Sequence, residues 1–367
     1  MTCSSPRRVL LRVVLAALTL GVTLAGASGP TALFGAAAAA AAPPPAKANY
    51  EIKIATLAPE GSTWMKIMDE LDTAIRTETQ NAVGLKFYPG GIQGGEDVVL
   101  RKIRTGQLHG AGFTGVGLGE IAPSLRVMEL PFLFENEDEV LAVHARMDPI
   151  FEQKINQGGY TLLGWAEVGF IYLYSREPLA TTEQLRSTKI WLWQGDPVAE
   201  ALLKTAGVSP VPLDVTDVMT SLQTGLISAV YVSPLACIAL QWFTRVKHVT
   251  DLPLTHGLGA VVVTNEAWAK VPAQHQAKVR ELCRGYFDKL RLATVADNER
   301  STDVIAQAGV QTVTLTPDQA RSFKALGAQV QQALVGKLFD QALLDQVKAE
   351  LSTARAAQGK PTSGSQK

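Results

Sequence analysis

The sequence has few of the residues on which enzymes and metal sites depend. Its 367 residues include only three cysteines and five histidines. No His-Glu-x-x-His occurs, and no histidine has a second histidine or a cysteine at ligand spacing, so neither a metal nor another cofactor is predicted. The Gly-x-Ser-x-Gly turn of the α/β-hydrolases is also missing. These absences argue against an enzyme.

Charge and apolar length exclude two further classes of protein. The 34 basic and 34 acidic residues balance, whereas nucleic-acid binding needs a concentrated basic face. Beyond the N-terminal segment, no apolar stretch approaches the roughly 20 residues that cross a bilayer as a helix.

Cys237 and Cys283 lie in apolar helical patterns, and we expect buried free thiols rather than the disulfide that export would permit.

The N-terminus predicts export. Basic residues precede an apolar run from Val13 to Ala25 that is too short for a membrane anchor. Small residues follow that suit cleavage, so residues 1–27 are predicted to be a signal peptide and the mature protein to be periplasmic. By composition, residues 28–47 are an Ala/Pro-rich linker and residues 356–367 a disordered tail.

Between these ends, strand and helix patterns alternate. One series begins at Tyr50–Leu57 and a second at Tyr160–Trp165, and each has the strand–helix order of a mostly parallel sheet covered by helices. Pro272–Ala308 predicts a single helix of about 50 Å, which must brace both halves or reach a partner. The length exceeds one comfortable core. The prediction is therefore an α/β fold of two lobes.

One glycine-rich segment matches a pattern found in dinucleotide-binding proteins. Gly110–Gly115 matches the pattern G-x-G-x-x-G, but Gly117, Gly119 and Pro123 follow, so no long helix is available to receive a dinucleotide phosphate. We interpret the segment as a flexible loop at the carboxyl end of a strand. Open α/β sheets bind ligands at such ends.

Five segments together resemble one family of transport proteins. They are Tyr88–Glu96, Ile103–Leu108, Pro123–Phe134, Leu185–Ile190 and Ser221–Gly225. In this order and spacing they resemble the substrate-binding proteins of TRAP transporters, the tripartite ATP-independent periplasmic carriers (the DctP family). The resemblance extends over about residues 50–345.

The resemblance implies a periplasmic binding protein fold in which two lobes close on a ligand and a long helix spans both. Lobe I would comprise residues 48–170 and about 257–300, and lobe II residues 171–256 and about 301–355 with the C-terminal helices. The chain would cross between them near Val168–Tyr172 and Leu252–Leu258. The implied role is to capture a small organic molecule and deliver it to the membrane permease subunits of the transporter.

The departures from the family pattern concern its polar ligand contacts. Where typical members carry an arginine that binds a substrate carboxylate through two parallel charged hydrogen bonds, this sequence has Trp191. A second arginine of some members aligns with Ile171. The polar Gln-Glu-Asn-Pro stretch corresponds to residues 230–234, and an acidic or amide position falls near Gly115. The carboxylate clamp is therefore expected to be missing.

The missing clamp resembles a subgroup that works with a tetratricopeptide-repeat lipoprotein and is thought to take hydrophobic ligands. We accordingly expect an uncharged or amphipathic ligand, such as a lipid. The alternative is a C4-dicarboxylate or other organic acid held by another basic residue, such as Arg176 or Arg126.

The predicted ligand-binding residues are mostly aromatic. Trp191 and Trp193 are two residues apart and share one face of a strand, which either lines the cleft or packs into the core of its lobe. The other candidates are Trp64, Phe113, Trp165, Phe170, Tyr172, Tyr231 and Ser233. No catalytic residue is predicted.

Overall fold

Strands and helices alternate along the part of the chain that the structure describes. The computed structural model describes residues 47–358, so the predicted signal peptide, all but the last residue of the linker, and the tail beyond residue 358 lie outside it. The strands are β1 (Tyr50–Thr56), β2 (Val83–Tyr88), β3 (Gly110–Thr114), β4 (Tyr160–Trp165), β5 (Gly169–Ser175), β6 (Trp191–Trp193), β7 (Val211–Leu213), β8 (Ala229–Val232), β9 (His248–Thr250), β10 (Thr255–Gly257), β11 (Gly259–Thr264) and β12 (Gln311–Val313). The α-helices are α1 (Thr63–Glu78), α2 (Glu96–Arg104), α3 (Gly115–Ile121), α4 (Glu137–Gln157), α5 (Thr182–Arg186), α6 (Pro197–Thr205), α7 (Val218–Thr224), α8 (Pro234–Ala239), α9 (Asn265–Ala269), α10 (Ala273–Gln307), α11 (Pro317–Leu334) and α12 (Gln341–Gln358). Short 3-10 helices cover Pro123–Glu129, Val215–Asp217 and Trp242–Thr244.

Lobe I is built on the sheet β2-β1-β3-β11-β4. Strand β1 is parallel to β2 and β3, and β11 runs antiparallel to β3 and β4. Side chains alternate between the two faces: Val261 and Val263 pack into a core with α1 and α10, and Ala260 and Val262 into a core with α2, α4 and α12. Both faces of the sheet are therefore covered by helices.

Lobe II is built on the sheet β10-β5-β9-β12, with β8 also paired to β5. The parallel pair β6-β7 is attached to β8 through a bridge between Ile190 and Ala229. Trp191 and Trp242 belong to the core on one side of this sheet, and Leu173 belongs to the core on the other. The two-lobed α/β fold predicted from the sequence is confirmed.

Two chain crossings and one helix connect the lobes. The segment between β4 and β5 pairs with the end of β10, since Val168 N–H donates to Gly257 O over 2.9 Å. Asn298 of α10 joins them, because its Nδ2 donates to Val168 O over 3.1 Å. Gly169 has a φ of +90°, and a Cβ there would lie 2.6 Å from Asn298 Nδ2, so this position requires glycine.

Two helices brace both lobes. Helix α10 packs on α1 and β4 of lobe I and on α8 and β5 of lobe II, as predicted for the long helix. In α11, Phe323 belongs to a lobe II core, whereas Val330 and Leu334 belong to a lobe I core. The cleft is therefore bridged by α11 as well.

Some local predictions need correction. The glycine-rich segment is not a flexible loop, because β3 leads directly into α3. Helix α4 was not predicted, although Asn136 caps its first turn by accepting from Glu139 N–H. Helix α12 ends at Gln358, past the predicted start of the tail. It packs on α4 of lobe I, which counts against its place in lobe II. The lobe boundaries otherwise stay a prediction.

The thiol prediction is confirmed, since Cys237 and Cys283 are both buried and free. Burial raises the pKa of each thiol to about 12. No helix within residues 47–358 has the length and apolar character of a membrane span.

Candidate functional site

A cavity of about 690 Å³ is bordered by residues of both lobes. The ends of β1 and β3 and the start of α1 contribute from lobe I, and β5, β6, β8 and α6 contribute from lobe II. Phe323 and Leu326 of α11 border it as well. Cavities of this size hold small organic molecules.

Trp191, Trp193 and Tyr231 form an aromatic stack in the lobe II wall. The ring of Trp191 lies 5.0 Å from that of Tyr231 and 5.7 Å from that of Trp193, and the edge of Trp242 meets it at 5.2 Å. All four residues border the cavity, yet Trp191 is only 1% exposed. The two alternatives left by the sequence therefore both apply, because this face lines the cleft and belongs to the core.

Two polar side-chain atoms of the aromatic stack are engaged by the backbone. Trp191 Nε1 donates to Leu213 O over 3.0 Å, and Tyr231 Oη accepts from Trp193 N–H over 3.0 Å. Burial raises the pKa of Tyr231 well above its ordinary value. The stack therefore presents neutral ring surface, with these groups already hydrogen-bonded.

Strand β5 turns the two odd-numbered residues at its centre to the cavity. Ile171 and Leu173 border it. Phe170 and Tyr172, on the opposite face, do not: Phe170 packs edge-on against His256 with ring centroids 5.0 Å apart. The structure therefore does not bring these two predicted ligand residues to the cavity, and the reason is the two-residue period of the strand.

Trp165 is also outside the cavity lining. Its ring packs against His144 at 5.1 Å and Phe151 at 6.4 Å, on the α4 side of the lobe I sheet. The sequence pattern identified an aromatic residue at the end of β4 but could not indicate that α4, which was not predicted, covers it.

The remaining candidates all border the cavity. Trp64 lies edge-on to Phe87, and a Cβ at Gly112 would lie 3.1 Å from its ring. Phe113 is buried in the lobe I core. Ser233 is buried and caps α8, because its Oγ accepts from Ala236 N–H over 3.3 Å. Its Oγ therefore caps the helix as an acceptor, and its O–H can still donate.

A buried group of three charged residues, the Arg126 triad, joins the lobes at the cavity wall. Arg126 in the 3-10 helix of lobe I donates from Nη2 to Asp196 Oδ1 of lobe II over 2.6 Å, and its Nε lies 2.7 Å from Glu129 Oε2. All three residues border the cavity and are less than 10% exposed. Nη1 of Arg126 has no hydrogen-bond partner within residues 47–358.

Burial and ion pairing shift the pKa values of the triad residues in opposite directions. Burial lowers the pKa of Arg126, but Asp196 and Glu129 raise it more, so the guanidinium stays charged. Burial raises the pKa of Glu129, against the opposing effect of Arg126. The triad therefore holds the charged guanidinium of Arg126 between two acidic side chains.

The ionisable residues around the cavity are mainly acidic. Among residues 47–358, two basic and five acidic side chains border it: Lys66 and Arg126, and Glu60, Glu129, Glu167, Asp196 and Asp297. Arg176, one of the two arginines considered for an organic acid, does not border the cavity and bonds to Leu222 O. No group of three or more His, Cys, Asp or Glu side chains in the same part of the chain is placed to hold a metal ion.

The glycine-rich segment makes room for buried carboxylates. Glu96 accepts from the backbone N–H groups of Thr114 and Gly117, each over 2.7 Å, and burial, opposed by these bonds, raises its pKa to about 7. A Cβ at Gly115 would overlap the carboxylate of Glu129. The motif therefore serves packing around acids rather than phosphate binding.

Sequence reasoning missed much of the apolar lining. Members that it did not identify include Leu57, Val168, Leu173, Leu202, Leu240, Leu254, Phe323 and Leu326. The alternation along β5 could have indicated Leu173. Phe323 and Leu326 lie in a different helix from Asp297, the nearest other lining residue along the chain, and nothing local connects them to the cleft.

Comparison with known proteins gives a consistent result. The family model described as bacterial extracellular solute-binding protein, family 7 (DctP), matches residues 54–337. The chain is 26% identical over 243 residues to the uncharacterized protein YiiZ of Salmonella typhimurium, covering 62% of this chain and 73% of that one. It is 23% identical over 324 residues to the ectoine/5-hydroxyectoine-binding periplasmic protein UehA of Ruegeria pomeroyi, covering 81% and 93%.

A solved structure shares the fold. It is a TRAP periplasmic solute-binding protein from Xanthobacter autotrophicus with bound β-D-galacturonate, at a TM-score of 0.76 and 19% identity. The match covers 82% of this chain and 99% of that one.

Proposed function

This chain belongs to family 7 of the bacterial extracellular solute-binding proteins, and on that premise we propose that its interlobe cavity captures an uncharged or amphipathic organic molecule for a TRAP transporter. Members of this family bind small molecules for membrane permeases and are not enzymes. The predicted export of residues 1–27 agrees with an extracytoplasmic place of work.

The observation that carries the proposed ligand class is the environment of Trp191. It borders the cavity, and its indole N–H is already bonded to Leu213 O. A neutral ring in this place cannot form the paired charged hydrogen bonds that an arginine gives to a carboxylate. Ile171, where a second arginine is expected in some relatives, also borders the cavity as an apolar side chain.

The ligand-contacting residues that we propose are six of the sequence candidates. They are Trp64, Phe113, Trp191, Trp193, Tyr231 and Ser233, all of which border the cavity. A cavity with aromatic and aliphatic walls binds mainly through burial of apolar surface, at about 25 cal/mol per Å². A lipid-like molecule fits this chemistry. We also propose a tetratricopeptide-repeat lipoprotein as a partner, because the subgroup that the sequence resembles works with one.

Native mass spectrometry of the protein purified from its own periplasm tests the ligand class. We expect an adduct whose released mass corresponds to an uncharged or amphipathic compound. Isothermal titration with succinate, galacturonate and a medium-chain fatty alcohol, which is amphipathic but uncharged, completes the test. Micromolar binding of succinate or galacturonate, with no response to the fatty alcohol, would contradict the proposed class.

An organic acid is the second candidate. Two observations favour it: the Xanthobacter structure contains galacturonate, and Arg126 borders this cavity. Against it stands the pairing of Arg126 with two carboxylates of the protein itself. The same titration separates the two candidates.

A further inference from the structure

The Arg126 triad has an arrangement that differs from a carboxylate clamp. A clamp offers an arginine to the ligand, whereas here the guanidinium is 2% exposed and is already paired with Glu129 and Asp196. The pairing also joins the lobes, since Arg126 and Glu129 lie in lobe I and Asp196 lies at the start of α6 in lobe II.

Both carboxylates are held in place by the backbone as well as by Arg126. Asp196 Oδ1 accepts from Val198 N–H over 3.0 Å and from Ala199 N–H over 3.2 Å, which caps α6. Glu129 Oε1 accepts from Leu258 N–H over 2.8 Å. Since each acid has its own anchor, a ligand carboxylate that approached Arg126 would have to displace fixed counter-ions.

The space for Glu129 depends on a glycine. A Cβ at Gly115 would overlap the Glu129 carboxylate, so only glycine at this position leaves room for it. The polar group that the family resemblance places near Gly115 is thus missing, and a carboxylate from residue 129 fills the space instead. The Glu129 carboxylate thus takes the space expected for that polar side chain, and the triad forms part of the cavity wall.

On the basis of the proposed function, we infer that Glu129 and Asp196 are specificity-determining residues, which act as internal counter-ions of Arg126 and exclude carboxylate ligands from the cavity. Like charges that share a poorly solvated site repel each other. Because Arg126 is already paired with two acids of the protein, a ligand carboxylate gains no unpaired cation and meets those acids instead.

The test replaces the acids by their amides and measures binding of acids. Asp196→Asn keeps the cap on α6, because asparagine caps helices as well as aspartate does. The double variant Glu129→Gln/Asp196→Asn leaves Arg126 without a charged partner from the triad. Isothermal titration with succinate and β-D-galacturonate should show no binding to the wild type. The double variant should bind both acids, with an affinity about tenfold or more above the detection limit of the titration. The gain should be smaller in Asp196→Asn, and it should be lost when Arg126→Gln is added to either.

A matched control has the same change of net charge outside the cavity. Glu120→Gln/Asp217→Asn alters two exposed acids that do not border the cavity, and it should leave succinate unbound. Succinamide is the neutral probe, whose affinity should change less than succinate's in every variant. Circular dichroism and a melting curve establish that each variant is folded, and Asp196→Asn alone serves if the double variant is not.

The outcomes distinguish the two proposals. If the wild type itself binds either acid at micromolar concentration, the ligand class proposed above is wrong and so is the exclusion. If the wild type rejects both acids and the folded amide variants reject them equally, the ligand class stands and the counter-ion role alone is overturned. A gain of equal size in the control pair would also overturn it.

Discussion

Trp191 combines two roles that the sequence could not separate. It stands where the family resemblance predicts an arginine, and it borders the cavity, but its ring is packed between Tyr231, Trp193 and Trp242. The position is therefore part of the lobe II core as much as of the binding site.

We predict that Trp191→Arg destabilises the protein by about 3 kcal/mol or more instead of creating a carboxylate site. The change removes a large buried side chain and buries a charge without a partner. Trp191→Phe is the control, because it keeps an aromatic ring and loses only the N–H and some volume. Urea unfolding measures both, and a Trp191→Arg variant as stable as Trp191→Phe would contradict the prediction.

His144 should make stability depend on pH. Burial lowers the pKa of this histidine, but Asp148 at 2.7 Å and Glu167 at 3.0 Å raise it more, to about 9. A pKa above the unfolded value means that the stabilisation is complete below about pH 6.5 and is lost as pH rises through about 9. It should amount to roughly 3 kcal/mol.

The measurement compares wild type with His144→Gln by urea unfolding between pH 6 and pH 10. The free energy of unfolding of the wild type should fall across this range, and the difference from the variant should shrink with it. The pKa of Glu167 is lowered in the fold, where burial raises it but His144 lowers it more. Its contribution is therefore lost only on acidification, outside this window. A pH-independent difference between the two proteins would refute the role of His144.

At the scale of elements, local patterns predicted much of the fold. Ser62 as the cap of α1, Asp196-Pro197 at the start of α6 and Thr316 at the start of α11 were recognisable because capping is decided by neighbouring residues. The span of α10 followed in the same way from an uninterrupted helical pattern.

What the sequence could not provide was the choice of faces. In β5, both alternating sets are apolar or aromatic, since both faces of the strand are covered, so nothing local indicated that Ile171 rather than Tyr172 faces the cavity. The partners of Arg126 were equally hidden. Asp196 lies 70 residues away along the chain and meets it only when the lobes are assembled.

Helix α10 offers an element-scale prediction at Gly285. This glycine is exposed in the middle of the helix, and a Cβ there would meet nothing within 4 Å. Gly285→Ala should raise the free energy of unfolding by about 0.5–1 kcal/mol, because alanine restricts the unfolded chain and favours helix. Gly169→Ala, at a positive φ beside Asn298, is the opposite case and should destabilise. Thermal melts of both compare them, and a loss of stability in Gly285→Ala would contradict the prediction.

For the whole molecule, removal of the ligand should lower the melting temperature. A ligand that binds only the folded state at a hundredfold excess over its Kd contributes about 2.7 kcal/mol. Protein stripped by unfolding and refolding should therefore melt several degrees lower than protein as purified, and it should recover when the released compound is added back. Trp64, Trp191, Trp193 and Trp242 border the cavity, so the intrinsic fluorescence should change in parallel. Identical melts and spectra would indicate that the cavity was empty from the start.

The meeting of three connections at Val168 has a mechanical consequence. The two crossing strands and Asn298 of α10 are hydrogen-bonded there to one backbone unit, so the lobes share a pivot instead of a flexible tether. When two rigid lobes turn about one pivot, their open and closed positions differ mainly in the angle between the lobes. Ligands would then be selected first by their size, because a molecule too large for the closed position would keep the lobes partly open.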